Sequence, residues 1–297
     1  MAVNCLHASR VNWFALSLGA AVTQATQFAV VKGRGRELAP LVIVAWTQTV
    51  AFLAWLLFFV VSGEALAVPR ATWPAIGASA VLVLGMGGLL ARASARGDIS
   101  VVGPVFALSP IFTVIPDAML SGTLPSALGW IGLALAVAGT VTLSGGAAGA
   151  TLRAVFTRPD ARDALGAAVF LGFLAAVDRW GALAMGAPSY LLCSHGATAL
   201  LTTAIVLVTA PRALAASATP RNLLTVVAHG ALGVTGTAMQ TTALTMAPAA
   251  YVNAIRRMSA VIAVVFGRAF FGEADLGRRL VAALLACAGA LCLLLAR

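Results

Sequence analysis

Residues 108–143 read LSPIFTVIPDAMLSGTLPSALGWIGLALAVAGTVTL, and residues 258–293, which lie 150 positions later, read MSAVIAVVFGRAFFGEADLGRRLVAALLACAGALCL. Each of these two segments contains a long apolar run, a short polar turn and a second apolar run. When they are laid over each other without gaps, one serine pair and two glycine pairs coincide: Ser109 with Ser259, Gly122 with Gly272, and Gly139 with Gly289. The edges of the apolar runs coincide as well, which indicates that the two halves of the chain share one plan.

The composition places the whole chain in a membrane. Of the 297 residues, 61% are hydrophobic and 9% are charged, and the mean hydropathy is +1.00. A soluble domain carries about 25% charged residues, so too little polar surface remains here to cover a water-soluble globule. The composition therefore predicts a multi-pass protein, which we expect in the cell (inner) membrane.

Ten apolar runs are long enough to be membrane spans. A helix needs about 20 residues to cross the hydrocarbon core, and backbone groups in lipid must be paired within their own segment. The chain is therefore predicted to be an all-α polytopic membrane protein with ten transmembrane helices. The predicted spans are Val11–Val31, Leu41–Val61, Thr72–Ala91, Ser100–Leu120, Ser126–Leu143, Ala164–Trp180, Tyr190–Thr209, Leu223–Thr245, Ala249–Phe271 and Leu276–Leu295.

The longest gap between spans, Ser144–Asp163, falls at the middle of the chain. It separates two predicted repeats of five spans each, 1–147 and 148–297. Because five is odd, the two repeats must cross the membrane in opposite directions, which predicts an inverted-topology repeat.

The basic residues give an expectation for orientation. The net charge is +10, and thirteen basic residues follow odd-numbered spans, whereas four lie on the opposite side: Arg10, Arg70, Arg179 and Arg297. This bias alone places the gaps after odd-numbered spans in the cytoplasm and both termini outside. No basic stripe with interleaved aromatic residues is present, so nucleic acid is not an expected partner.

The sequence predicts no cofactor. The four cysteines, at positions 5, 193, 287 and 292, form no Cys-x-x-Cys pair or Cys/His ligand set. The run GMGG at 85–88 lacks the Lys-Ser/Thr of a phosphate loop, so ATP is not the expected drive. No cleavable signal peptide is expected, and the first span should remain as an anchor.

The end of each half resembles one family of transporters. Residues 254–295 read AIRRMSAVIAVVFGRAFFGEADLGRRLVAALLACAGALCLLL, a small-residue helix, a terminal Gly272-Glu273, a polar turn and a glycine-containing last helix. Residues 101–145 repeat this pattern with Ser109-Pro110, although Thr123 replaces the acid. The chain thus resembles EamA-type members of the drug/metabolite transporter superfamily.

That resemblance implies a basket of helices around a central cavity, lined by spans 1–4 and 6–9, with spans 5 and 10 outside. It implies transport of a small metabolite, often export, coupled in many members to protons or to exchange. Family members commonly have both termini in the cytoplasm, which disagrees with the charge bias, so the orientation stays open.

Two adjacent arginines inside the ninth span are the first candidates for a binding site. Arg256 and Arg257 lie about 10–12 Å into the span at 1.5 Å per residue, where a charge is expensive. Adjacent helical residues point about 100° apart, so both can hardly face one target squarely. Asn253 shares a face with either arginine, and the resulting patch suits a carboxylate or phosphate. The alternatives are that the arginines snorkel to the headgroups or form structural pairs.

Other ionisable residues are candidates for coupling or gating. Asp117 ends the fourth span on the side where the ninth begins, so it can pair with Arg256 or Arg257, carry a proton, or lie at the interface. Lys32 and Asp178 occupy nearly equivalent span ends, and they either anchor the protein at the interface or gate the cavity mouth.

The remaining polar candidates lie inside spans. His195 and His229 are either proton relays or partners in interhelical hydrogen bonds. Gln24 and Gln48 predict a polar lining, and Trp46 is a candidate for stacking on a substrate. Two further aromatic residues at span ends, Trp180 and Tyr251, are expected in the interfacial belts.

The sequence favours a secondary transporter of a small polar or anionic, amino-acid-like metabolite, working by alternating access and possibly coupled to protons. Its expected partners are that substrate and the lipid bilayer, and the oligomeric state is not readable. One competing class is an intramembrane enzyme acting on lipid headgroups, which would need clustered acids or histidines. The other is a membrane scaffold without transport, which would lack polar residues converging on one cavity.

Overall fold

A computed structural model describes residues 2–34, 39–96, 99–122, 124–143, 153, 155–259, 262 and 276–296. Within these residues the regular structure is helical. A short 3-10 turn at Arg70–Thr72 precedes the third helix. The helices are α1 (Ala2–Arg34), α2 (Pro40–Ser62), α3 (Trp73–Arg96), α4 (Ile99–Phe106), α5 (Ser109–Ser121), α6 (Ala127–Leu143), α7 (Pro159–Met185), α8 (Ala187–Thr209), α9 (Pro211–Ser217), α10 (Pro220–Met246), α11 (Ala249–Arg257) and α12 (Leu276–Leu295).

The helices support a multi-pass membrane protein. Among the described residues, four helical stretches are long and apolar enough to cross a membrane: Pro40–Ser62, Arg70–Ser94, Pro159–Met185 and Ala187–Thr209. Large apolar side chains cover their outer faces, and Val61, Leu200 and Val208 are at least three-quarters exposed. Such a surface suits contact with lipid rather than water. The prediction of ten spans is therefore supported only in part.

One predicted span is broken in two. The fourth span ends its first helix at Phe106, turns at Ala107–Leu108 and restarts as α5 at Ser109. Pro110 stands in the first turn of α5, where its missing N–H does no harm, but its ring does not allow the preceding helix to continue. The break therefore has a local cause in the sequence.

The ninth predicted span also meets a break, where α11 ends at Arg257. The N–H of Met258 donates to the carbonyl of Ile255 at 2.9 Å, a tightened last turn. Positions 257–258 lie 150 residues after 107–108, where α4 and α5 meet. The rest of the ninth predicted span lies largely outside the described residues, as do Gly272, Glu273 and Thr123.

Long antiparallel helix pairs build the bundle. Helix α1 packs along α10, α3 along α7, α2 along α8, and α6 along α12. The α6–α12 contact is the closest in backbone terms, because a Cβ on Gly139 would lie 2.7 Å from the backbone nitrogen of Ala286. On the other side of the same contact, a Cβ on Gly289 would lie 2.6 Å from the nitrogen of Ala136. These glycines allow the two helix backbones to touch.

Two groups of helices face each other across the middle of the bundle. Helices α3, α4, α5 and α7 pack on one another and form what we call the α7 group. Helices α1, α10 and α11 form the α10 group, and α11 also packs on α5 and α7 of the α7 group. The pair α2–α8 closes the space between the groups, whereas α6 and α12 pack together away from it. A cavity lies in the space between the two groups.

Candidate functional site

The central cavity has a volume of about 390 Å³, and an adjoining chamber of about 260 Å³ shares part of its wall. Its wall is formed by α1, α2, α3, α4, α7, α8, α10 and α11. Polar side chains make up much of that wall: Gln24, Gln27, Gln48, Ser79, Asp178, Tyr190, Ser194, His195, Thr198, His229, Thr237, Gln240, Thr241, Arg256 and Arg257. Polar groups in the interior of a membrane protein are costly, so their convergence marks this cavity as the candidate functional site.

Both arginines of α11 line the cavity, on two different sides of it. Arg256 donates through Nη1 to the side-chain oxygen of Gln240 on α10. Arg257 lies over the ring of Phe106 on α4, with its guanidinium carbon 5.1 Å from the ring centre. The 100° between neighbouring positions thus sends one arginine toward each helix group, rather than one into the cavity and one to the headgroups. The Nε atom of each arginine is buried and lacks a hydrogen-bond partner among the described residues.

The position of the arginines in α11 has an electrostatic reason. They occupy the last turn of the helix, where the carbonyl ends of the peptide dipoles give a partial negative charge that favours cations. In a continuous span they would stand in the middle of a helix without that support. The break after Arg257 therefore lowers the cost of keeping two cations at this depth.

Asp178, on α7, contributes an acidic group to the cavity wall. One of its carboxylate oxygens accepts hydrogen bonds from the hydroxyls of Ser79, at 3.0 Å, and Tyr190, at 2.7 Å. Its charge and that of Arg256 attract each other. Among the described residues, the second carboxylate oxygen accepts no hydrogen bond. The cavity thus presents cationic groups from α11 and an anionic group from α7.

The two histidines tie helices together while they line the cavity. His195 Nδ1 faces the side-chain oxygen of Gln48 at 2.5 Å, and its Nε2 faces the hydroxyl of Thr237 at 3.3 Å. His229 Nδ1 faces the hydroxyl of Thr47 at 3.1 Å. The sequence left two roles open for these histidines, an interhelical hydrogen bond or a proton relay. The structure gives both histidines interhelical hydrogen-bond contacts, and both rings also line the cavity.

Gln24 also lines the cavity, as predicted for a polar wall, and its side-chain oxygen accepts a hydrogen bond from the hydroxyl of Ser259 at 3.3 Å. Its neighbour one turn on, Gln27, donates to the carbonyl of His229 at 3.0 Å. Lys32 belongs to α1, but its side chain lies outside the described residues.

Asp117 does not pair with either arginine of α11, which corrects one prediction. Its Oδ1 instead accepts from Nη1 of Arg179 at 2.9 Å, and its Oδ2 accepts from the backbone nitrogen of Ala249 at 2.8 Å. The physical reason is position along the helix: Asp117 is level with the first residue of α11, two turns from the arginines. Asp117 is 1% exposed and lies outside the cavity wall.

Asn253 and Trp46 also lie away from the cavity, contrary to prediction. Asn253 is 1% exposed and donates to the hydroxyl of Thr113 at 2.9 Å, because α5 packs against α11 at this turn and leaves no open space. Trp46 stands two residues before Gln48, about 200° around α2. With Gln48 at the cavity, the indole points away from it and donates to the hydroxyl of Ser217 at 2.9 Å.

Of the two aromatic residues expected in the interfacial belts, Tyr251 lies inside the bundle and Trp180 is partly buried. Tyr251 is 3% exposed, packs near Trp13, and its hydroxyl accepts from the backbone nitrogen of Ser126 at 3.2 Å. Trp180 packs against a buried cluster around Tyr190. Position near a span end is therefore a poor guide to lipid exposure here, because short connections keep span ends close to neighbouring helices.

Sequence reasoning missed Phe106, which lines the cavity, and Arg179, which lies just beyond the cavity wall. Phe106 occupies the position in the first half that corresponds to Arg256 in the second, 150 residues later. That relation could have suggested that Phe106, like Arg256, lies near the middle of the fold. The charge count treats Arg179 only as one of the few basic residues at the opposite interface. The 100° rule would have separated it from Asp178, since only one of two adjacent residues can face the cavity squarely.

Comparisons with known proteins agree with this architecture. A solved structure, reported as "Crystal structure of protein", matches with a TM-score of 0.74 and 21% identity, covering 94% of this chain and 95% of the other. That likeness shows a shared fold along nearly the whole chain. No curated protein matches.

The sequence comparison with protein families is more specific about function. The model of the EamA-like transporter family matches residues 11–145. Members of this family are transporters rather than enzymes, and the family suggests a membrane transporter. The match lies in the first half of the chain, and the matched family belongs to the drug/metabolite transporter superfamily.

Proposed function

We propose that this protein is a secondary active transporter that moves a small anionic or zwitterionic, amino-acid-like metabolite across the cell (inner) membrane by alternating access. One observation carries the proposal. Two buried guanidinium groups, each with an Nε that lacks a partner among the described residues, line one cavity enclosed by helices from both halves of the chain. Unpartnered cationic donors at this depth are costly unless a ligand satisfies them.

The chemistry of the wall supports an anionic group on the substrate. Arg257 is held over Phe106 by a contact that leaves its edge donors available, and a guanidinium binds a carboxylate or phosphate in a planar, two-pronged manner. Asp178, which lines the same cavity, suits an ammonium group. A cavity of about 390 Å³ accepts a metabolite of small size.

The arrangement of helices supports alternating access between two inverted repeats. Each helix of one half has a counterpart 150 residues away in the other half: α1 corresponds to α7, and α3 to α10. The packed pair α1–α10 therefore corresponds to the packed pair α7–α3. The pairs α2–α8 and α6–α12 each consist of two such counterparts. The α7 group and the α10 group are therefore counterparts. Broken helices at the same repeat position in each group, 107–108 and 257–258, are typical of the central site of a transporter.

Proton coupling is part of the proposal and falls to His195. Its ring stands between α2 and α10 with a polar partner on each nitrogen, and it shares the adjoining chamber with Arg256 and His229. An anion entering this chamber would offset the charge of Arg256 and favour a proton on the ring. Substrate and proton would then move together.

The experiment is uptake into proteoliposomes from a panel of carboxylates, phosphates and amino acids, with and without a pH gradient. For the substrate found, Arg257→Gln should reduce transport at low substrate concentration by about 10- to 100-fold, the loss of one charge-assisted interaction of roughly 1.5–3 kcal/mol. Arg257→Lys keeps the positive charge but loses the two-pronged guanidinium geometry. Its transport rate should lie between those of the unmodified protein and Arg257→Gln.

A matched control is Arg92→Gln, which removes an arginine from a half-exposed ion pair with Asp163 outside the cavity. It should leave transport unchanged, since exposed pairs contribute little. Full activity of Arg257→Gln on every transported compound would contradict the anion site. His195→Gln should abolish the response to the pH gradient while substrate binding remains, and a retained response would remove His195 from the proton path.

A further inference from the structure

A buried ion pair between Asp117 on α5 and Arg179 on α7 lies just beyond the end of the cavity wall. We infer that this pair is a latch that holds the α7 group against the α10 group and closes this end of the cavity. The inference rests on the proposed alternating-access transport. Each time the cavity opens toward this end, the latch must release.

The contacts of the pair reach from one helix group to the other. Both members belong to the α7 group, and they bond to each other at 2.9 Å. Arg179 Nε donates at 3.0 Å to the carbonyl of Leu244, in the last turn of α10. Asp117 Oδ2 accepts at 2.8 Å from the N–H of Ala249, the first residue of α11. Both backbone partners belong to the α10 group.

These backbone partners are groups that a helix cannot satisfy by itself. The last four carbonyls of a helix and the first four N–H groups lack partners within it. The cation meets the negative end of α10 and the carboxylate meets the positive end of α11, so each contact is favoured by the peptide dipoles. The pair thereby clamps the short turn Ala247–Pro248 that joins the two helices.

The latch lies at the closed end of the cavity. On α7 the wall extends along the helix to Asp178, and on α10 to Thr241, one turn before Leu244. Beyond these residues the space between α3, α7 and α8 is filled by a cluster of buried side chains: Ala75, Ala182, Met185 and Tyr190. The wall continues in the other direction, toward Leu90 at the far end of α3. The structure is thus closed at the latch end.

The pair can release without separating its charges. Because Asp117 and Arg179 both belong to the α7 group, they stay together when the groups part, and neither is left as an isolated buried ion. The hydrogen bonds from the pair to Leu244 and Ala249 are lost in that step. A latch of this design closes firmly through charge-assisted bonds yet opens at a modest cost.

The repeat-equivalent positions in the sequence carry no matching ion pair. The positions offset by 150 residues from Asp117 and Arg179 are Gly267 and Ala29, neither of which is ionisable. The pair therefore has no counterpart at the positions that the repeat relates to it. With the latch engaged, we expect the resting protein to favour the state that is closed at the latch end.

The test uses the accessibility of one cysteine and needs no substrate. Thr241→Cys, placed in a chain whose native cysteines are replaced by serine or alanine, reports on the cavity one turn from the latch. A membrane-impermeant maleimide is applied to right-side-out and to inside-out vesicles. We expect labelling from one side only, with slow labelling from the latch side.

The decisive variant is Asp117→Asn/Arg179→Met, which removes both charges together and leaves no unpaired buried ion. It should raise the labelling rate from the latch side by about tenfold and lower the rate from the other side, as a population shift requires. Arg179→Lys keeps the charge, but it cannot bond Asp117 and Leu244 in one plane, and should give a smaller shift in the same direction. Arg92→Gln, at a half-exposed pair elsewhere, should shift nothing.

An unchanged labelling ratio in the double variant would overturn the latch and leave the pair a purely structural one. If the double variant does not reach the membrane, Arg179→Lys decides the matter in the same assay. Absence of transport for every compound, together with the expected labelling shift, would reject the proposed function and keep the latch. Normal transport with an unchanged labelling ratio would reject the latch and keep the proposed function.

Discussion

The backbone contact between α6 and α12 allows a quantitative prediction. A Cβ on Gly139 would lie 2.7 Å from the nitrogen of Ala286 and 2.8 Å from the carbonyl oxygen of Ala282. Unstrained contacts between heavy atoms need about 3.5 Å, so Gly139→Ala must push the helices apart by about 0.8 Å. Neither neighbour can move aside, because both are backbone atoms. Inserting one methyl into such a contact costs about 1–3 kcal/mol.

A glycine in open space provides the control. A Cβ on Gly88, in α3, meets nothing within 4 Å. Gly88→Ala and Gly139→Ala both gain about 1 kcal/mol of helix propensity, so their difference isolates the overpacking. The assay is the apparent melting temperature in detergent, followed by tryptophan fluorescence. Gly139→Ala should melt about 2–12 °C below Gly88→Ala, at about 2–4 °C per kcal/mol.

The partner glycine makes the prediction sharper. Gly289→Ala should behave like Gly139→Ala, because its Cβ meets Ala136 at 2.6 Å across the same contact. The double variant should lose less than the sum of the two, since one separation of the helices relieves both clashes. If Gly139→Ala melts at or above Gly88→Ala, the close approach of α6 and α12 is wrong.

Two further predictions concern residues that lie off the cavity. Asn253→Ala should change the free energy of unfolding by less than about 1 kcal/mol, because loss of the bond to Thr113 is offset by removal of the unpartnered side-chain oxygen. Thr113→Val leaves the Asn253 amide without its partner and should cost about 1–3 kcal/mol. Melting temperatures of the two variants test this difference. Trp46→Phe should leave uptake in proteoliposomes unchanged and cost about 1 kcal/mol for its single hydrogen bond, and a large loss of uptake would return Trp46 to the cavity.

The helices themselves could be predicted well from the sequence. Apolar runs of about 20 residues leave the backbone no alternative to a helix, and α2, α8 and α12 begin and end within three residues of their predicted spans. The break before Pro110 was readable from the proline ring, which disfavours continuation of the preceding helix. The end of α11 after Arg257 carries no such signal, and only the comparison with positions 107–108 points to it.

The sequence predicts the relative directions of residues on the same helix. It does not predict which residues on different helices contact each other. Spacing separates Arg256 from Arg257, but it does not say that one reaches α10 and the other α4. For the same reason the sequence allowed Asp117 a pairing with an α11 arginine, whereas its partners in the structure are Arg179 and the backbone of Ala249. A sequence indicates the depth of a residue in the membrane and its direction around its own helix, whereas the partner depends on which helix packs there.

The contact of Arg257 with Phe106 constrains how far the two halves can be alike. Phe106 and Arg256 occupy the same place in the two halves, at an offset of 150 residues. In a protein made of two identical second halves, an arginine would take the place of the aromatic ring, and two guanidinium groups would lie about 5 Å apart with repulsion in place of a cation–π attraction. The aromatic ring of Phe106 in the first half therefore makes room for the positive charge of Arg257 in the second half. A chain built from two copies of its second half is the one arrangement that this cavity excludes.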